Sequence, residues 1–232
     1  MSKFICFLYI LSHFMIKNDK KFLIDFLGLH PLFRSEKKAP TITNPVLELK
    51  KIEEKAKSCN KCTLYESRKS VVFGSGDLTR PWMFIGEAPG ESEDVTGKPF
   101  VGAAGKLLDK MILAMKLKRD SNTYITNVIK CRPPNNRNPN PIEINNCQNY
   151  LSDQINLINP LIIITLGKIA ANAILKNDAS LNGLRGKIHY HNNIAILCTY
   201  HPSYLLRNPA EKKKSWADLC LALNFVKERS DF

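Results

Sequence analysis

The sequence predicts an α/β fold, a three-layer α/β/α sandwich around a central four-stranded parallel sheet. Three observations carry that expectation. Short apolar runs of strand length alternate with longer stretches of helical spacing, as when parallel strands are joined by helical crossovers. The run at 161–166 is apolar almost throughout, which suits a strand buried on both faces. Polar residues gather where the runs end, and open sheets of this class bind ligands outside the carboxyl ends of their strands.

In chain order, residues 1–45 read as a poorly ordered extension that ends in a linker at 35–45. Within it, 4–16 is mostly apolar, preceded by Lys3 and followed by a charged run at 17–21. A hydrocarbon core about 30 Å thick needs about 20 helical residues, so this run is too short to span one. No small-x-small cleavage signal follows it, and stable membrane association is not expected. Residues 46–232 read as one domain. A charged helix at 46–57 leads to the first cysteine pair, and 82–86 is a buried strand closed by glycine. Over 101–116, helical spacing places Leu107, Leu108, Met111, Ile112 and Met115 on one face. A second strand covers 124–128. Pro141 opens a helix to about 158, with proline in its favoured first position. The third strand, 161–166, is followed by a helix at 167–175, the fourth strand covers 194–199, and a last helix runs over 210–227.

Composition narrows the function classes. The chain has 232 residues, 44% hydrophobic and 24% charged, as a soluble globular protein does. Its 34 Lys and Arg outnumber 21 Asp and Glu, for a net charge of +13. Such a surface favours polyanions, because neutralised phosphates release counterions; a lysine-rich composition produces the same charge without any such partner. Seven cysteines, an odd number without a convincing secretory signal, argue against a disulfide framework and for a reducing cytoplasm. There is no Walker A loop, since Gly105-Lys106 is followed by Leu107.

Four cysteines form a candidate metal centre. Cys59 and Cys62 make a C-x-x-C pair, while Cys131 and Cys147 stand far downstream and well apart. Cys6, Cys198 and Cys220 read as ordinary core residues. Thiolates bind zinc or iron–sulfur clusters, and donor type alone does not separate the two. The open second half suits a [4Fe–4S] cluster better than zinc, which usually sits between two tight knuckles.

Several motifs resemble those of the family 4 uracil-DNA glycosylases, the iron–sulfur type. They are Gly86-Glu87-Ala88-Pro89-Gly90-Glu91-Ser92-Glu93-Asp94, Gly97-Lys98-Pro99-Phe100-Val101-Gly102, Thr126-Asn127-Val128-Ile129-Lys130-Cys131-Arg132-Pro133-Pro134 and His201-Pro202-Ser203-Tyr204-Leu205-Leu206-Arg207. The resemblance covers roughly 47–226 and leaves the extension out. It implies a uracil-DNA glycosylase-like fold, a structural [4Fe–4S] cluster on Cys59, Cys62, Cys131 and Cys147, and DNA containing uracil as substrate, bound by a monomer.

The chemistry of base excision gives each motif a task. A stacked base must be extruded into a pocket, and the resemblance assigns its aromatic face to Phe100. Asn127 can read the pyrimidine edge with one donor and one acceptor. His201 can donate to O2, where charge develops as the glycosidic bond breaks. The better-known enzymes carry aspartate where this chain has Ala88, so Glu87, with Glu93 and Asp94 nearby, is expected to position water. Gly90 stands where those enzymes carry tyrosine, which leaves Glu93 to exclude the thymine methyl. Tyr204-Leu205-Leu206-Arg207 is an apolar wedge with a cation, in which Leu205 would fill the gap left by the extruded nucleotide and Arg207 hold the adjacent phosphate. Lys130, Arg132, Arg137 and Lys168 are further candidates for the DNA backbone. No lysine is placed for a Schiff base, so the expected reaction is monofunctional. Two rivals remain at this point: a non-catalytic metal-containing nucleic-acid-binding module, and a glycosylase for hypoxanthine or mismatched pyrimidines.

Overall fold

The structure, a computed structural model, describes residues 44–230. The sequence-predicted extension, its apolar run and Cys6 lie outside the described residues, apart from Asn44 and Pro45. The chain begins with α1 (Pro45–Lys57), in which Asn44 accepts the Val46 N–H and proline takes the first turn. A short helix, α2 (Leu64–Ser67), leads to strand β1 (Ser75–Gly76). Then come β2 (Trp82–Gly86), α3 (Glu91–Thr96), α4 (Ala103–Ala114), β3 (Thr123–Asn127), α5 (Pro141–Ile158), β4 (Ile162–Leu166) and α6 (Lys168–Leu175). The chain continues through α7 (Leu181–Leu184), β5 (Ile188–His191), β6 (Ile194–Thr199), α8 (Pro202–Arg207) and α9 (Lys212–Ser230).

The sheet has six strands in the order β1-β3-β2-β4-β6-β5. Its four inner strands are parallel, which agrees with the sequence expectation. The outer strands correct it: β1 and β5 pair antiparallel with β3 and β6, so the sheet is mixed. Both are edge strands, one of two residues and one bearing polar side chains, and short or polar edges discourage pairing with another chain.

Strand periodicity divides the core into two layers. Met83, Ile85, Ile163, Ile196 and Cys198 face α5 and α6, where Leu151, Ile155, Ala170 and Ile174 are buried. Trp82, Phe84, Ile162, Ile164 and Leu197 face the opposite layer, with Leu108 and Ile112 of α4 and Leu219 and Ala222 of α9. Helices therefore cover both faces, as a mostly parallel sheet requires. Among the described residues no helix is long and apolar enough to cross a membrane.

Candidate active site

From β2 the chain crosses to β3 on one side, and it later returns to place β4 on the other. The crevice outside the carboxyl ends of β2 and β4 is thus the topological switch point of the sheet. A cavity of about 810 Å³ opens there, lined by Glu87 and Ala88 after β2, Asn127 at the end of β3, Gly167 after β4 and His201 after β6. Gly167 has φ +94, and a Cβ there would press on His201 Cβ at 3.2 Å.

A flat pocket forms at the end of β2 because Gly86 has no side chain. A Cβ on Gly86 would overlap both Asn127 Oδ1 and the edge of the Phe100 ring. Glycine therefore lets an aromatic face and an amide meet over one strand end. Asn127 is 1% exposed, and its Oδ1 has no hydrogen-bond partner among the described residues. A buried carbonyl oxygen left without a donor costs roughly 1–3 kcal/mol, which a ligand N–H at that point would offset. Phe100 is buried at φ +52, a left-handed conformation unfavourable for a bulky side chain. The Glu93 carboxylate holds it there by accepting the N–H groups of Val101 (2.8 Å) and Gly102 (2.9 Å).

His201 closes the far side, its ring centroid 5.6 Å from that of Phe100. It caps α8, and its Nδ1 accepts the Ser203 N–H at 3.1 Å, with the Ser203 hydroxyl at 2.8 Å. A nitrogen that accepts a backbone N–H carries no proton, so the neutral ring keeps its proton on Nε2. Burial, then the nearby Arg207, lower its pKa to about 4, against a smaller opposing effect of Glu93. At neutral pH His201 is an uncharged donor.

The four acids named from sequence separate into different environments. Glu87 lines the cavity with no hydrogen-bonding or ionic partner for its carboxylate among the described residues, and burial raises its pKa to about 7. Glu93 is fully engaged as a clamp, since its second oxygen accepts the Gly90 N–H at 3.1 Å. That oxygen lies 2.7 Å from where a Gly90 Cβ would stand, so the carboxylate fills the space beside Gly90. Asp94 is buried away from the cavity and accepts the N–H groups of Lys69 and Ser70. Glu91 is exposed and stands 3.8 Å from Arg132.

The structure corrects two expectations about DNA contacts. Leu205 is 1% exposed and packs into the protein rather than facing outward as a wedge would. With His201 as the cap, helical phase turns Pro202 and Leu205 inward and leaves Leu206 44% exposed beside the exposed Arg207. Lys130 is equally unavailable to phosphate, being 1% exposed. Its ammonium donates to Thr126 Oγ1 (2.7 Å), Gln154 Oε1 (2.6 Å) and the carbonyl of Asn127 itself (2.8 Å). Arg137 and Lys168 do line the cavity, although Arg137 is also paired with Glu143. Ala88 lines the cavity and packs on the core behind the sheet. Sequence reasoning missed Asn136, a cavity-lining residue at φ +53 whose side chain accepts from Arg132, and Tyr200, which continues an apolar strand.

Cys59, Cys62, Cys131 and Cys147 line one small cavity beside the base of α5, and none of them is in a disulfide. Arg68 donates to Cys131 Sγ at 3.2 Å, and the Lys130 N–H to Cys147 Sγ at 3.3 Å. Among the described residues no three His, Cys, Asp or Glu side chains converge as ligands of a single ion. Cys198 is buried in β6 and Cys220 partly buried on α9, away from this group.

Comparison with known proteins agrees with this layout. The family model of the uracil DNA glycosylase superfamily matches residues 73–221. A type-4 uracil-DNA glycosylase of Pyrobaculum aerophilum is 42% identical over 184 residues, which cover 75% of this chain and 93% of the relative. One from Sulfurisphaera tokodaii is 47% identical over 174 residues, 71% of this chain and 79% of the relative. One from Thermotoga maritima is 40% identical over 181 residues, 76% of this chain and 94% of the relative. With the matched region spanning both the crevice and its loops, the chain belongs to the uracil DNA glycosylase superfamily.

Proposed function

We propose that this chain removes uracil from DNA by hydrolysing its N-glycosidic bond, leaving an abasic site. The observation that carries the reading is the unpartnered, buried Oδ1 of Asn127 beside the Phe100 ring. An amide in that position accepts uracil N3–H and donates to O4, whereas cytosine presents the opposite pattern. Phe100 supports one side of the ring. The Glu93 carboxylate, held beside Gly90, blocks the place where a thymine methyl would enter.

In the reaction the C1′–N1 bond breaks and its electron pair leaves with the base. His201 Nε2–H donates to O2, where that charge collects, and does so as a neutral group that needs no proton transfer. Water bonds to C1′ and one of its protons passes to the Glu87 carboxylate; the uracil anion takes up a proton on release. Glu87 is the acid in the cavity whose oxygens are not engaged, so the water-positioning role falls to it rather than to Glu93. Leu206 replaces Leu205 as the wedge, with Arg207 against a phosphate.

Cys59, Cys62, Cys131 and Cys147 would hold a [4Fe–4S] cluster. Four soft donors that share one cavity, with N–H donors to two of the sulfurs, fit that group. When bound it supplies a cross-link between the loops around α2 and the start of α5, and no step of the hydrolysis.

The test is a panel of oligonucleotides carrying uracil, hypoxanthine or a thymine mismatch, treated with iron-loaded protein and then alkali. Strand cleavage at uracil alone is expected. No cleavage at uracil by iron-loaded protein sinks the proposal, and preferential cleavage at hypoxanthine replaces its substrate.

A further inference from the structure

A single pyrimidine ring does not fill this cavity. Its 810 Å³ lies toward the upper end of the roughly 300–1,000 Å³ that drug-sized ligands occupy. Besides His201, its wall includes Tyr200, Tyr204 and Asn182, with Lys168 and Arg207. The Tyr200 and Tyr204 rings are stacked, with centroids 5.0 Å apart and planes 27° from parallel. The Tyr200 ring beneath Tyr204 is held on several sides. Tyr200 is buried, and its hydroxyl donates to Asn182 Oδ1 at 2.9 Å. The Arg185 guanidinium packs 4.1 Å from the Tyr200 ring centroid. Arg185 is in turn held by the buried Asp218, which also accepts the Thr199 hydroxyl at 2.7 Å.

We propose that the part of the cavity wall formed by Tyr200 and Tyr204 is a stacking subsite for the nucleobase next to the extruded uracil, with the Tyr204 ring as its platform. The inference rests on the glycosylase reading of the pocket at Asn127, Phe100 and His201. A preorganised aromatic ring loses little freedom on binding, and any base can stack on it, so the subsite is indifferent to sequence. Lys168 and Arg207, both exposed, stand where the linking phosphates would pass. Tyr204 lies three residues from His201, so one short segment holds both the base being removed and its neighbour. The subsite acts on unpaired bases and therefore favours single-stranded or locally opened DNA.

The experiment measures binding apart from catalysis. Fluorescent single-stranded oligonucleotides carry 2′-fluoro-2′-deoxyuridine, whose electron-withdrawing substituent opposes bond breakage, and an abasic spacer replaces the base on one side or the other. For the wild type, a spacer on one side is expected to weaken binding on the order of tenfold, with little effect on the other side. Tyr204→Leu keeps an apolar side chain but no flat ring; it should bind the unmodified oligonucleotide as weakly as the wild type binds the spacer, and ignore the spacer. Tyr204→Phe should behave as wild type. The spacer arm on the wild type needs no variant to fold. Normal uracil release from unfluorinated DNA with no spacer effect on either side overturns the subsite alone. Spacer dependence without uracil release counts against the catalytic reading and supports the subsite.

Discussion

Glu87 and His201 face the same cavity with displaced ionisation, and both displacements follow from burial. His201 becomes charged only near pH 4, so it remains a neutral donor across the working range. Glu87 exchanges its proton near pH 7, where a carboxylate is a more effective base than at its ordinary 4.5. Uracil release should therefore rise with pH along a single limb centred near 7, and Glu87→Gln should be slow and flat across it. A wild-type limb near 4.5, or one that persists in Glu87→Gln, would remove the role. The same shift acts on stability with a definite sign. Between about pH 4.5 and 7 the unfolded chain gives up this proton before the folded one does, so folding weakens as pH rises. Glu87→Gln should abolish that decline in thermal melts. Glu93 could not have been assigned from its letters: an acid early in a helix reads alike as a pocket group or as a clamp on backbone N–H groups, and only the fold of 97–102 over it decides.

At the scale of elements, α8 and the loop after β3 place the working side chains. Adjacent leucines in a short helix differ only in phase, and His201 as cap sets that phase. Leu205→Ala should cost about 2–5 kcal/mol of stability, as core truncations do. Leu206→Ala should leave stability within about 0.5 kcal/mol and slow release from duplex more than from single strands. The reverse pattern would restore Leu205 as the wedge. Lys130 joins two regions, since its ammonium holds the Asn127 carbonyl while its N–H meets Cys147 Sγ. Lys130→Met removes three buried hydrogen bonds and should lower stability by roughly 3 kcal/mol. It should also lower kcat/KM in the wild type but add little in an Asn127→Ala background; full additivity would show that the two act separately.

Across the whole molecule, the parallel core was legible because buried strands are continuous apolar runs and the crossovers have helical spacing. The antiparallel edges were not. Ser75–Gly76 is too short to carry a period, and Ile188–His191 places histidine and tyrosine where alternation would be sought. Three of the candidate residues were legible together because Asn127 closes a strand while Glu87 and His201 follow strand ends, and a parallel sheet brings those ends to one edge. The stack under Tyr204 was hidden because Tyr200 reads as the tail of an apolar strand. The net charge of +13 belongs to this scale as well. On single-stranded DNA each neutralised phosphate adds about 0.7 to the slope of log affinity against log salt. Arg207→Ala and Lys168→Ala should each reduce the slope by about that amount, and an unchanged slope would place both outside the DNA path.

The central claim is that Asn127 reads uracil in a pocket where His201 and Glu87 break its glycosidic bond. Single-turnover release of uracil from a labelled oligonucleotide, by wild type and by Asn127→Ala with equal iron content, tests it most directly. Release by the wild type and a loss of about 100-fold or more in the variant are predicted. Equal rates in the two proteins would contradict the account.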